Sequence, residues 1–464
     1  MISLIVQQLL VAVVTGGGGF LGGHVVETFL EAGYRTVLVI REKSILSNVK
    51  TVQFWREHYP NSFEVVVCDL SNRSSSLENT LLNSNINVSL EDINCIVNCA
   101  CPFKRSFVNY IEEIVEPALH IVDNVIEFAI AIRQSQRNSG DNNAAYSGSE
   151  NLRIIHVSSS AALRGTEQLP YSSSSCSLVP EPSESVVLPK GMFSPLDWNT
   201  CSKIHGGGMQ SYQFAKTVAE QMMFEAALVS DFEVVSIVPV TILGPICDGQ
   251  QDSIKKMSQQ KNESYSLGDI GISAKFIRDW HSGILKQENR LIADVRDVAL
   301  AILNAAKVNL EIIESDEEVH ENSSPPPMLD LRQYLRNIDE ISQQQLKNNM
   351  MDGGIQGVKS DFYANYDLIS SSMRCRKFHK RRFIIGGSRR IEHSAVENIL
   401  LSNGFQGGSL PVSEMMMKSN AAFRTDIDEL NVSAASNSPF SRGLGMICRK
   451  WEDTILDTAR QFYI

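Results

Sequence analysis

Residues 11–22, VAVVTGGGGFLG, constrain this chain more than any other stretch. A β-branched, apolar run enters four consecutive glycines, and a helical pattern opens at Phe20. Glycines at 16, 19 and 22 suit a strand–turn–helix that receives a dinucleotide. Gly16 permits the tight turn, Gly19 lets backbone approach a pyrophosphate, and Gly22 lets the helix pack close to the strand. The helix N-terminus, at Phe20 and Leu21, would present its N–H groups and positive dipole end to the phosphates. The apolar stretch before the glycines is interrupted by Gln7 and Gln8 and lacks a basic leader. It reads as a first strand rather than a signal peptide. No segment supplies the roughly 20 apolar residues of a membrane span.

Short β-branched runs then alternate with helical patterns, which predicts βαβ units and a parallel sheet. Strands are expected at 37–40, 64–68, 95–99, 153–157 and 234–238, with a late strand at 382–385. Helices are expected at about 20–32, 108–132, 212–229, 295–306, 394–403 and 446–462. The fold class is therefore α/β, a doubly wound parallel sheet of Rossmann type with a smaller C-terminal substrate lobe. The dinucleotide domain is expected over 11–245, with polar or Ser/Pro-rich insertions near 134–150 and 165–208. The lobe would occupy 246–464, carry an acidic insertion near 314–327, and return some segments to the first domain.

Composition narrows the partners. A net charge of -11 opposes nucleic-acid binding, which needs a basic surface. Nine cysteines occur without any CxxC pair, Cys99 and Cys101 forming only CxC in an apolar run. Reduced thiols and a cytoplasmic location are expected. His24, His58, His156 and His205 show no metal-ligand spacing, so no metal is expected and each reads as a structural histidine.

Arg41 follows the second strand, where dinucleotide folds that take NAD place an acidic residue on the ribose. An arginine suits the 2′-phosphate of NADP, with Lys43 as support and NAD as the alternative cofactor. Asp69 and Leu70, after the third strand, are placed to meet the adenine amino group. Tyr212 and Lys216 stand four residues apart, on one helix face. An ammonium beside a phenol lowers its pKa, so Tyr212 would pass protons near neutral pH. Ser158, Ser159 and Ser160 end the strand at 153–157, on the side where parallel sheets bind ligands. Ser160 is taken as the serine that polarises the substrate oxygen, with Ser159 as runner-up.

The combination TGGGGFLG, a serine strand end, YQFAKTVAE and PVTILGP resembles the extended short-chain dehydrogenase/reductase family. The nearest branch is that of dihydroflavonol reductase, cinnamoyl-CoA reductase and 3β-hydroxysteroid dehydrogenase. Ala215 stands where that family commonly has serine. The resemblance implies a Ser160–Tyr212–Lys216 triad, with Lys216 also holding the cofactor ribose. It implies that Cys99, Ala100 and Cys101 line the nicotinamide pocket, that Pro239 meets the carboxamide, and that Phe103 and Thr241 face substrate. It implies a small-molecule carbonyl or alcohol substrate and allows a homodimer. Three activities stay open: an NADP-dependent oxidoreductase, a nucleotide-sugar epimerase or dehydratase with tightly bound NAD, and a non-catalytic NADP(H)-binding regulator. Arg41 and the Leu163–Gly165 segment, where epimerases often carry Tyr-Gly, favour the first.

Overall fold

The structure is a computed structural model that describes residues 10–102, 108–139, 152–165, 168, 193–204, 208–251, 276–277, 290–308, 310, 371, 375–386, 391–405, 444 and 448–462. Seven strands form one parallel sheet: β1 (Val11–Thr15), β2 (Arg35–Ile40), β3 (Phe63–Val67), β4 (Ile93–Asn98), β5 (Arg153–Val157), β6 (Glu233–Pro239) and, after a short β7 and β8, β9 (Arg382–Ile385). Their order is β3-β2-β1-β4-β5-β6-β9. The order reverses between β1 and β4, and ligands of open α/β sheets bind at the carboxyl ends of the strands beside such a reversal. Val13 lies opposite Val37 on one side and Ile96 on the other. The continuous Val/Ile runs are explained by helices on both faces, which bury every residue of β1 and β5.

One face packs α4 (Leu77–Leu82), α5 (Glu116–Asn138) and α6 (Gly208–Val229) around Ile96, Ile154, Phe128 and Phe224. The opposite face carries α1 (Phe20–Glu31), α3 (Val49–His58) and α7 (Val295–Lys307) around Val14, Phe29, Trp55 and Ile302. A short α2 (Glu42–Ser47) links β2 to α3. The smaller lobe pairs β7 (Thr241–Leu243) with β8 (Ile292–Asp294) and adds α8 (His393–Ser402) and α9 (Trp451–Phe462). Leu243, Ile292, Val396, Leu400 and Ile455 form its core. The chain leaves the large sheet after β6 and comes back to its edge as β9, parallel to β6.

Two expectations about the long helix need correction. The segment expected as one helix over 108–132 is a π-helical turn, Ile111–Val115, followed by α5. Pro117 sits in the first turn of α5, and Val115 and Glu116 before it are both helical, so the proline marks the junction between the π-helical turn and α5. The helix also runs to Asn138, into residues expected to be insertion. Its last turn is held in place: Arg133 and Arg137 both reach Asp231, at 2.6 and 2.8 Å, and Gln136 donates to Ile93 O at 3.0 Å.

Residues 140–151, 169–192 and 311–370, with the acidic stretch 314–327, lie outside the described residues, as do Phe103 and His205. The described cysteines are free thiols, Cys68, Cys95, Cys247 and Cys375 among them buried. Among the described residues no helix is long and apolar enough to cross a membrane.

Candidate active site

At Gly16 and Gly22 the turn leaves room for hydrogen alone. Gly16 has φ +70, and a Cβ there would lie 2.8 Å from Ala100 Cα. A Cβ on Gly22 would meet Gly16 O at 2.2 Å and Gly17 Cα at 2.7 Å. Gly19 N donates to Gly16 O at 3.0 Å and so closes the turn. Gly19 is also the N-cap of α1 and has no side chain to cap it, which leaves the donors of the first turn, at Phe20, Leu21 and Gly22, aimed past the end of β1. An uncapped helix start beside a turn this tight fits a pyrophosphate.

The neighbouring strand ends gather around that turn. Thr15 Oγ1 donates to Asn98 Oδ1 at 2.8 Å, and Cys99 N donates to Thr15 O at 3.2 Å, which draws Cys99, Ala100 and Cys101 against the glycines. A Cβ on Gly18 would touch Ile40 Cδ1 at 2.9 Å, so the end of β2 abuts the turn as well. Arg41 and Lys43, at the start of α2, are exposed there. Asp69 Oδ1 accepts from Ser71 N at 3.1 Å and Ser71 Oγ at 2.6 Å, which shapes the loop beyond β3, and Leu70 is buried beneath it.

Tyr212 and Lys216 share one face of α6 over the end of β5. Lys216 is buried, and its Nζ donates to Val157 O at 2.7 Å. Tyr212 is partly exposed. The Ser159 hydroxyl hydrogen-bonds the Tyr212 side chain. The reason is local: Ser159 caps a short 3-10 turn, Ser160–Ala162, and its Oγ accepts from Ala161 N at 3.2 Å. Its own hydrogen is thereby left to be donated toward the tyrosine oxygen. Ser160 begins the turn, half-buried, one position further on.

Burial and charge act in opposite directions on Tyr212 and Lys216. Burial raises the Tyr212 phenol above its ordinary value, and Lys216, with the Ser159 hydrogen bond, pulls against that without outweighing it. Burial by itself would lower the Lys216 ammonium, but Cys101, Tyr212, Glu220 and Cys99 together hold it above the usual lysine value. Burial pushes the Cys99 thiol up to about 12. His156, on β5, is buried and falls to about 3, first through burial and then through Lys216. Asn98 Nδ2 lies 3.3 Å from its Nδ1. Pro239 ends β6 and is buried, and Thr241 opens β7, half-buried.

Charged neighbours that the motifs did not bring out surround both halves of the site. Glu27, buried on α1, accepts from Trp55 Nε1 at 2.9 Å, Asp248 N at 3.0 Å and Gly249 N at 2.6 Å. Gln250 Nε2, from the same loop, donates to Gly19 O at 3.1 Å. Glu220 and Arg382 lie beyond Lys216. Glu220 closes the YQFAKTVAE motif, but the others carry no local sequence signal, because each acts through a partner distant in the chain. Asp294 caps α7, accepting from Arg296 N at 2.8 Å. Among the described residues no cluster suits a metal ion.

Residues 14–283, more than half of the chain, match the family described as male sterility protein, an NAD-binding family. No curated protein matches the chain. Among solved structures, the chain is similar to Gre2 of Candida albicans in complex with NADPH, with 14% identity, a TM-score of 0.56 and 98% of each chain covered. It is similar to the yeast methylglyoxal/isovaleraldehyde reductase Gre2 complexed with NADPH, with 16% identity, a TM-score of 0.51 and coverage of 97% of this chain and 98% of that one. It is also similar to vestitone reductase from alfalfa, with 15% identity, a TM-score of 0.50 and 97% of each chain covered. At these identities the likeness establishes the Rossmann-type architecture. Fold, glycine turn and family match together place this chain in the NAD-binding male sterility protein family, among the extended short-chain dehydrogenases/reductases.

Proposed function

We propose that the protein is an NADP(H)-dependent oxidoreductase acting on a carbonyl or secondary alcohol of a small molecule, with Tyr212, Lys216 and Ser159 at its reaction centre. The observation that carries this reading is the cluster itself: the Ser159 and Tyr212 side chains hydrogen-bonded, and Lys216 on the same helix face, beside the glycine turn. Gly16, Gly19 and Gly22 would hold the pyrophosphate with the amides of Phe20 and Leu21. Arg41, with Lys43, would take the 2′-phosphate, Asp69 and Leu70 would face the adenine, and Cys99, Ala100, Cys101 and Pro239 would border the nicotinamide. That cofactor supplies or accepts the hydride.

The chain's own groups handle the proton. Tyr212, kept protonated by burial, donates from its hydroxyl to the substrate oxygen during reduction. Lys216 and the Ser159 hydroxyl stabilise the phenolate that remains, and Ser160 is the serine that would orient the substrate oxygen. Neutral His156 adds no competing charge.

The relatives named as reductases of methylglyoxal/isovaleraldehyde and of vestitone make aldehydes and ketones the first substrates to try. NADPH oxidation is followed at 340 nm against such a panel, with wild type and Tyr212→Phe. Turnover that falls at least about a hundredfold in Tyr212→Phe supports the proposal, since general acid catalysis is worth 10²–10⁴-fold. Equal turnover in both proteins refutes the role of Tyr212.

A further inference from the structure

Two charges with no exposure lie one helical turn beyond Lys216. Arg382 donates to Glu220 through Nε at 2.8 Å and Nη2 at 3.2 Å, and both side chains are 0% exposed. A buried ion pair is costly to desolvate, and well-packed apolar residues often serve stability as well or better. What the two residues touch points to another use.

Glu220 also accepts from Ser158 Oγ at 2.7 Å. Ser158 stands between Val157, whose carbonyl receives Lys216 Nζ, and Ser159, which meets Tyr212. The carboxylate therefore grips the residue that separates the two contacts of the reaction centre. Arg382 reaches the other side. Its Nη1 donates to Pro195 O at 2.7 Å and Asp197 O at 2.6 Å, and its guanidinium lies 3.6 Å over Trp198. That strip continues to Asn199, whose Nδ2 donates to Ser202 Oγ at 2.8 Å, and Ser202 Oγ donates to Gln213 Oε1 at 3.0 Å. Gln213 adjoins Tyr212.

Tyr212, Lys216 and Glu220 recur every four residues along one face of α6. The groups interacting with Lys216 are Tyr212 and Glu220 on its own helix, Cys99 and Cys101 beyond β4, and His156 on β5. Glu220 is the carboxylate among them.

We propose that Glu220 and Arg382 are a positioning pair for the reaction centre. The carboxylate anchors the serine segment and balances the Lys216 ammonium, while the guanidinium, delivered by the last strand of the sheet, holds both the carboxylate and the wall beside Tyr212. This rests on the reading of Tyr212 and Lys216 as the proton-handling residues.

The test compares wild type with Glu220→Gln, Arg382→Met and the double variant. Each single change leaves one buried charge unpaired and lowers the melting temperature; the double change removes both charges and recovers much of it. A positioning pair leaves the double variant at least about tenfold low in kcat while KM for NADPH changes little, the pattern of an interaction lost in the transition state. The alkaline limb of its pH–rate profile also moves toward lower pH, because the ammonium has lost its carboxylate neighbour.

Labelling of Lys216 by an amine-reactive reagent across pH, read by mass spectrometry, reports the same shift without substrate. If wild type shows no turnover dependent on Tyr212, the functional reading fails, and the labelling curve still tests the pair. Ser158→Ala checks the grip with no charge altered, and a several-fold fall in kcat at unchanged labelling is expected. Wild-type kcat, pH profile and labelling in a double variant that folds would overturn the proposal. So would wild-type kcat in Ser158→Ala should the double variant fail to fold.

Discussion

Gly22→Ala tests the geometry of the cofactor turn most directly. The added methyl would lie 2.2 Å from Gly16 O and 2.7 Å from Gly17 Cα, both backbone atoms that cannot rotate away. A carbon approaches a carbonyl oxygen to roughly 3.3 Å, so α1 and the turn must separate by about 1 Å. Overpacking of this kind costs about 1–3 kcal/mol. Alanine's better helical propensity returns about 1 kcal/mol. A net loss of roughly 1 kcal/mol in urea unfolding is expected.

The loss of affinity should be larger. A shift of that size pulls the first-turn amides out of hydrogen-bond range of a phosphate, and bonds to charged groups contribute about 1.5–3 kcal/mol each. NADPH, titrated by fluorescence, should bind ten- to a hundredfold more weakly, at about 1.4 kcal/mol per factor of ten. Gly33→Ala is the control. Gly33 has φ +83 but nothing within 4 Å of the added Cβ. That change should cost about 1 kcal/mol of backbone strain and leave NADPH affinity alone. Wild-type affinity in Gly22→Ala, or equal losses in both variants, would refute the account of the turn.

Other outcomes follow from the same contacts. Arg41→Ala should weaken NADPH by about tenfold through loss of a charge-assisted contact and leave NADH unchanged in the same titration; equal effects on both would remove the 2′-phosphate assignment. Glu27→Ala strips one acceptor from Trp55 Nε1, Asp248 N and Gly249 N. Donors left buried cost about 1–3 kcal/mol each, so a fall of several kcal/mol in unfolding free energy is expected, with Glu27→Gln falling less. Burial lowers His24 to about 4 and His156 to about 3, so both are neutral when folded. The unfolded chain binds those protons first, near pH 6.5, so stability is complete above that pH and is lost as pH falls toward the folded values. At pH 5 each histidine should cost about 2 kcal/mol. His24→Gln, which can still donate to Pro245 O, should lose less stability than wild type between pH 7 and pH 5; an identical loss would contradict the assignment.

What the sequence made legible tracks the range of the interactions concerned. β1, the glycine turn and α1 are local events, and spacing alone conveys them. The late strand was visible as Arg382–Ile385, and its partner β6 as a buried run, but no pattern states that they pair across the intervening lobe. α5 was misjudged at both ends because its limits are set from outside: Pro117 suits a first turn, and Asp231 holds the last one. Tyr212 and Lys216 were found by their four-residue spacing. The contact of Ser159 with the tyrosine depends on a 3-10 cap, which no serine count reveals. Lys216 pulls the phenol down, as the spacing suggests, but burial, which the spacing does not report, outweighs it.

The late return of β9 has a consequence for the order in which the protein can be made. Translation proceeds from the N-terminus, and domains tend to fold as they emerge. A nascent chain that has reached β6 already holds six strands of the sheet, with Glu220 beneath them, but the guanidinium that neutralises it is more than a hundred codons away. Until Arg382 leaves the ribosome, α6 must either stay partly solvated or bury the Glu220 carboxylate without its guanidinium, and lacking one partner of a buried pair costs about 3–5 kcal/mol. The edge of β6 is meanwhile open to pairing with other strands. Premature stop codons between the end of α6 and residue 382 would therefore act as folding lesions on a helix encoded long before them.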